Sequence, residues 1–146
     1  MKESSKAIEI LMVEDNQSDV RLTIEAFKDA KVLNNMSVAF DGEEAILFLK
    51  QEGRFKDAPR PDLILLDLNL PKMNGKEVLE EIKKDPDLKR IPVVVLTTSD
   101  NEQDVRKAYD LHVNAYVRKP VDLDQFIKII EAVEDFWLSV VKLPPK

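Results

Sequence analysis

Short β-branched or apolar runs alternate along the chain with segments whose apolar residues recur every three or four positions. The runs Glu9–Val13, Met36–Phe40, Leu63–Leu66, Val93–Leu96 and Ala115–Val117 have the length and composition of strands. Between them Val20, Ile24 and Phe27 keep helical spacing, as do Ala45, Phe48 and Leu49, then Val78 and Ile82, then Val105, Ala108 and Tyr109. Two helix starts carry their own signals: Ser99 with Glu102 three residues on has the form of a capping box, and Asp122 can cap the last helix. Strict βα alternation specifies a parallel sheet, because parallel neighbours need a crossover and right-handed crossovers put helices on both faces. The expected class is therefore α/β. The Leu63–Leu66 run is apolar without alternation, as a strand buried on both faces is, whereas Met36, Val38 and Phe40 alternate with smaller or polar residues and suit an edge. The stretch from Gly53 to Pro61 reads as a polar connection with two prolines.

The chain's 146 residues fit one core, since domains cluster near ~100–150 residues. A single domain over 1–146 is expected, with a C-terminal helix extended to about residue 141 and a short tail. With 44% hydrophobic and 34% charged residues the composition is that of a soluble globule. The absence of cysteine excludes a disulfide framework and a thiolate metal site, and fits a reducing, cytoplasmic setting. The opening MKESSKAIEI lacks the apolar stretch of a secretory signal, and no segment approaches the roughly 20 consecutive apolar residues that span a bilayer. A net charge of -6 argues against a nucleic-acid partner, which would need clustered Lys and Arg. Neither a membrane nor a nucleic acid is expected to be bound.

The informative residues fall where strands end. Glu14 and Asp15 follow the first run, Asp67 ends the third, Thr97 ends the fourth and Lys119 follows the fifth. In an open parallel sheet the carboxyl ends share one edge, and ligands bind in the crevice there. Any one of these residues alone would read as a solvated turn residue; agreement among four strands makes coincidence a poor explanation. Three carboxylates brought together need a cation, or one of them takes up a proton. Oxygen donors without His or Cys favour a hard metal, and Mg²⁺ takes a few protein oxygens while keeping several waters. A carboxylate nucleophile beside Mg²⁺ points to phosphoryl transfer, where catalysis is mostly positioning and charge neutralisation. The Lys119 ammonium could then hold one phosphoryl oxygen as a point charge, and the Thr97 hydroxyl could donate to another.

Rival acidic sites fit less well. An EF-hand loop beginning at Asp67 fails, because Pro71 and Lys72 stand where a ligand and the obligatory glycine belong. An aspartate-nucleophile phosphatase of the haloacid dehalogenase type would carry a second Asp two residues after the first, as general acid, and that residue is Asn69. Nucleotide or flavin binding would need a phosphate-cradling loop after the first strand, and Glu14-Asp15-Asn16 repels phosphate without a metal.

The segments VEDN, LLDLNLPKMNG, VVVLTTS and AYVRKP together resemble the receiver domain of two-component response regulators, over essentially Ile8 to Val133. The resemblance implies the flavodoxin-like (βα)5 receiver fold with strand order 2-1-3-4-5, and Asp67 as phosphoacceptor for a sensor histidine kinase. It further implies Mg²⁺ held by Asp15, Asp67 and the backbone carbonyl of Asn69, with Glu14 acting through water. Thr97 and Tyr116 would form the switch, Lys119 would precede a cis Pro120, and a downstream target would read the altered surface. Within the family, LILLDLNLPKMNGKEVL, KRIPVVVLTTS, YDLHVNAY and EDFWLS most resemble the small stand-alone regulators that serve phytochrome-type kinases. Thr98, where alanine is common, and Val121, where phenylalanine is common, are departures that bear on switching and phosphoryl lifetime. An aspartyl-phosphate phosphatase or phosphotransferase acting on an external substrate is the alternative. This chain lacks both the second Asp and the insertion large enough to cover a substrate that such an enzyme would carry.

Other conspicuous residues have structural readings. His112, the only histidine, suits a helix C-terminus, and Met12 and Met73 suit packing. Lys83, Lys84, Lys89 and Arg90 alternate with Asp85 and Asp87, as on a mixed solvated face or part of a kinase-docking surface. Phe126, Ile129, Ile130, Val133, Phe136, Trp137, Val140 and Val141 form a stripe of about four and a half turns, or ~24 Å at ~1.5 Å per residue. Strands of this length span only ~17–20 Å. The stripe therefore outruns the sheet, and a homodimer through Phe136, Trp137, Val140 and Val141 is expected to cover its end.

Overall fold

The structure, a computed structural model, describes residues 7–28, 33–97 and 115–118, with backbone alone for 26, 97 and 115–118. Its elements run β1 (Ile8–Val13), α1 (Gln17–Lys28), β2 (Asn34–Ala39), α2 (Gly42–Lys50), β3 (Leu63–Asp67), α3 (Gly75–Lys84), β4 (Val93–Thr97) and β5 (Ala115–Arg118). Short 3-10 turns lie at Gly53–Phe55 and Leu88–Arg90. All pairings are parallel and the order is β2-β1-β3-β4-β5, the flavodoxin-like order implied by the resemblance.

Successive strand residues point to opposite faces, which divides the apolar residues between two cores. Leu11, Val13, Ile64, Leu66, Val93 and Val95 meet the apolar stripes of α2 and α3, including Ala45, Phe48, Leu49, Val78, Leu79 and Ile82. Ile10, Met12, Leu63, Leu65, Val94 and Leu96 meet Val20 and Phe27 of α1 on the other face. Every residue of β3 is buried, as its unbroken apolar run foretells. Each fully buried aliphatic side chain contributes about 1.5–3 kcal/mol relative to exposure, so the central strands are the least yielding part of the sheet.

Two expectations need correction. β2 starts at Asn34 and stops at Ala39, leaving Phe40 outside the strand and 45% exposed. Polar residues extend the strand because their side chains find partners: Asn34 Nδ2 donates to the Phe27 carbonyl at 3.0 Å and Asn35 Nδ2 to Glu9 Oε2 at 3.0 Å. The Phe40 amide instead donates to Glu44 Oε1 of α2. The region from Gly53 onward is also more than a polar connection. Phe55 in its 3-10 turn packs on the first core, 5.4 Å from the Phe48 ring between centroids, and Arg54 both covers the Phe55 ring and pairs with Glu44.

The Lys83 to Arg90 stretch keeps its mixed character. Burial pushes the Lys83 ammonium below its ordinary pKa. At the end of α3 the Asp85 carboxylate accepts from the Leu88 and Asp87 amides, which hold its pKa down. Met12 is fully buried and Met73 packs partly on the first core, in keeping with packing roles.

The first turn of α3 is set by two adjacent residues. Asn74 caps it in a reciprocal box with Glu77, each side chain accepting from the other's backbone amide at 3.0 Å. Gly75 lies against the end of β3, where an added Cβ would fall well inside van der Waals distance of the Asp67 carbonyl and Leu68 Cα. Backbone cannot rotate away as a side chain can. Gly75→Ala is therefore expected to reduce the unfolding free energy by at least ~2 kcal/mol, within the range of overpacked cores. Urea melts of the two proteins measure it, and equal midpoints would show that α3 can shift outward freely.

Candidate functional site

Register brings the acidic residues together. Val13 stands opposite Leu66 and Asp67 opposite Leu96, so the residues just past β1 lie beside the last residue of β3. The Glu14 amide donates to the Ala39 carbonyl at 2.9 Å, which carries the ladder one step beyond β1. Carboxylate oxygens of Glu14, Asp15 and Asp67 then lie within 4.8 Å of one another. Glu14 is 1% and Asp67 4% exposed, whereas Asp15 faces solvent. Glu14 Oε2 accepts from the Asn16 amide at 3.1 Å and Asp67 Oδ1 from the Asn69 amide at 2.9 Å. Each buried carboxylate is thus aimed by the turn that follows its own strand.

Such an arrangement has an open side and a closed one. Two carboxylates are sunk into the end of the sheet and a third meets water, which suits capture of a cation that keeps part of its hydration shell. The cluster offers only oxygen and contains neither imidazole nor thiolate, a donor set for a hard divalent ion. The residues therefore fit Mg²⁺ on their chemistry alone.

Of the residues singled out from sequence, Glu14, Asp15 and Asp67 converge, with Asn69 in the turn directly after Asp67. Thr97 closes β4 in register with Arg118, and Tyr116 lies in β5 opposite Val95. Lys119, Phe136, Trp137, Val140 and Val141 lie outside the described residues. So do the Ser99–Glu102 and Asp122 caps, the helix through Val105, and His112. Sequence reasoning gave no role to Asp41, Gly42, Asn74 and Gly75, which start α2 and α3, and used Lys72 only to exclude an EF-hand. Asn74-x-x-Glu77 has the form of a capping box, and Asp41-Gly42 before a helical stripe marks a helix start; both signals were present.

A parallel five-stranded sheet with buried carboxylates at its carboxyl edge defines a class of protein, and sequence comparison gives the same one. The chain matches the response regulator receiver domain over residues 10–131 and belongs to that family. Its members are signalling proteins of two-component systems rather than classical enzymes, and they bind Mg²⁺ at an acidic pocket. Response regulator Rcp1 of Synechocystis sp. (strain ATCC 27184 / PCC 6803 / Kazusa) is 51% identical over 142 residues, which cover 97% of each chain. The crystal structure of the phosphorylated cyanobacterial phytochrome response regulator RcpA superposes with a TM-score of 0.82 at 53% identity, over 92% of this chain and 96% of that one. The Mn(2+)-bound form of Rcp1 gives 0.81 at 51% identity, over 94% and 99%. The resemblance to small phytochrome-type regulators is thus matched in sequence and in fold. Among the described residues no helix is long and apolar enough to cross a membrane.

A ligand that binds only the native state adds RT ln(1 + [L]/Kd) to stability, about 2.7 kcal/mol at 100 Kd. Mg²⁺ or Mn²⁺ is expected to raise the thermal midpoint of the wild type in proportion to the logarithm of its concentration, and to leave Asp15→Ala unchanged. A scanning-fluorimetry titration of both reads this, and parallel shifts would place the ion elsewhere.

Proposed function

We propose that the protein is a single receiver domain across its 146 residues, acting in the cytoplasm as a phosphorylation-dependent switch, with Asp67 as acceptor for a sensor histidine kinase of the phytochrome type or a relative. The observation that carries this reading is the nearly buried Asp67 carboxylate held within 4.8 Å of two others at the carboxyl edge of the sheet. An Asp67 oxygen attacks phosphorus as the bond to the kinase histidine breaks, and the histidine leaves with the electron pair. Asp15, Asp67 and the Asn69 carbonyl would hold Mg²⁺ directly and Glu14 through water; bound Mg²⁺ neutralises charge on the incoming phosphoryl group. Lys119 holds one phosphoryl oxygen and the Thr97 hydroxyl donates to another. Thr97 and Tyr116 then bias a pre-existing equilibrium between two surfaces, one of which a downstream target reads.

The phytochrome assignment is supported by 53% identity to RcpA, whose crystal form is phosphorylated. Turnover on an external substrate is the weaker reading, since Asn69 stands where a general acid would be needed. The apolar stripe ending in Phe136, Trp137, Val140 and Val141 supports a homodimer through the C-terminal helix, because solvent exposure of such a face is unfavourable.

Two measurements test this. Acetyl phosphate with Mg²⁺ should place one acid-labile, hydroxylamine-sensitive phosphoryl group on the wild type and none on Asp67→Asn; labelling of the variant to the same extent would refute the acceptor assignment. Sedimentation equilibrium, with and without beryllofluoride, should find a dimer for the wild type and a monomer for Trp137→Ala/Val140→Ala/Val141→Ala. A wild type that stays monomeric throughout, or a variant that stays dimeric, would remove that interface.

A further inference from the structure

The loop from Leu68 to Asn74 joins β3 to α3, and its two ends are tied by the Gly75 amide donating to the Leu68 carbonyl at 3.1 Å. Its first residues already touch the site, through the Asn69 amide on Asp67 Oδ1. The far side of the loop rests on another element. Lys72 adopts a left-handed backbone, φ 61, although it carries a Cβ, a conformation that costs about 1 kcal/mol or more. The next residue brings its backbone to Gly42, the first residue of α2, where an added Cβ would lie well inside van der Waals distance of the Met73 carbonyl. Gly42 does not have a positive φ, so its lack of a side chain serves room rather than backbone freedom. Asp41 stiffens this corner by accepting from the Glu44 amide at 2.8 Å. Its pairing with Lys72 at 3.7 Å joins a half-buried carboxylate to an exposed ammonium, and at that separation it contributes little. Backbone contact, not charge, therefore joins α2 to the loop.

We propose that the Asp41–Gly42 corner is a positioning element for the metal site: by seating the Met73 carbonyl and holding Lys72 left-handed, it fixes the loop that presents Asn69, and so sets divalent-cation affinity. This rests on the functional reading above, in which Asp67 and the Asn69 carbonyl hold the ion. Ligand geometry is sensitive to supports that never touch the metal, and loss of such a support typically weakens binding by ~10–100-fold.

The test is calorimetric titration of Mg²⁺ or Mn²⁺ into the unphosphorylated protein, with thermal midpoints in chelator recorded alongside. Gly42→Ala pushes the seat out, and Lys72→Val forbids the left-handed turn at an exposed position where folding should survive. Lys72→Gly keeps the turn and removes the ammonium. The first two are expected to weaken binding by ~10-fold, and Lys72→Gly to stay within about two-fold. A support that served stability alone would lower the midpoints and leave the affinity of the folded protein intact. Affinities within two-fold of wild type in Gly42→Ala and Lys72→Val overturn the proposal, and Lys72→Val decides alone if Gly42→Ala does not fold. An equal loss in Lys72→Gly also overturns it, because that variant retains the backbone. Asp15→Ala separates the two levels: if it binds as wild type does, the functional reading has failed, and if it does not, only the positioning role is at stake.

Discussion

Holding Glu14, Asp15 and Asp67 with oxygens inside 4.8 Å works against Coulomb repulsion and, for the two buried residues, against the loss of water. At that separation each pair of full charges repels by about 1 kcal/mol in a water-like medium and about 3 kcal/mol at an effective dielectric near 20. A flexible chain would let the groups part. They stay because each is attached to a strand terminus whose position is set by ladders and packing far from the charges. Asp67 ends a strand buried at every position and bonded on both sides, so displacing it means breaking the middle of the sheet. The apolar interior is thus the source of a polar function: the burial that makes the sheet rigid also keeps the carboxylates poised for a cation.

A division of labour follows between the strands and the turns after them. Strands set where the carboxylates are, to within the spacing of a parallel ladder. The turns set which way they point, through the Asn16 and Asn69 amides. Around these the helix starts form a second frame. Gly75 lets α3 lie against the Asp67 carbonyl, and Gly42 lets α2 lie against the Met73 carbonyl. Both glycines give up a side chain so that backbone can approach backbone.

Much of this could be read from the residues, and the reasons are physical. Strand identity came through because β3 and β4 are short, continuous apolar runs and the helices between carry clear stripes. The acidic site came through because strand-end placement is a property of order along the chain. What stayed hidden depends on pairs farther apart than one helical turn or one strand repeat. Asn34 and Asn35 look like loop residues until Phe27 and Glu9 accept from them, and Phe55 looks like part of a polar connection until it meets Phe48. The roles of Gly42 and Gly75 were equally hidden, since the close approaches they permit are to Met73 and Asp67, residues no local pattern links to them.

The start of α3 has one more consequence, for the chemical lifetime of the chain. Asn74-Gly75 is the dipeptide most given to deamidation, in which the glycine nitrogen attacks the asparagine side-chain carbonyl carbon, ammonia leaves, and water opens the resulting succinimide to aspartate or isoaspartate. A Cβ-free residue is required at 75 by the contact with β3, and a capping residue is favoured at 74, so the fold itself writes this fragile pair beside its own site. It also guards it. The Gly75 amide is engaged by the Leu68 carbonyl at 3.1 Å, and Asn74 Oδ1 by the Glu77 amide at 3.0 Å. Neither reacting group is at liberty while the helix start is intact, so ageing at this bond becomes a record of how often α3 opens.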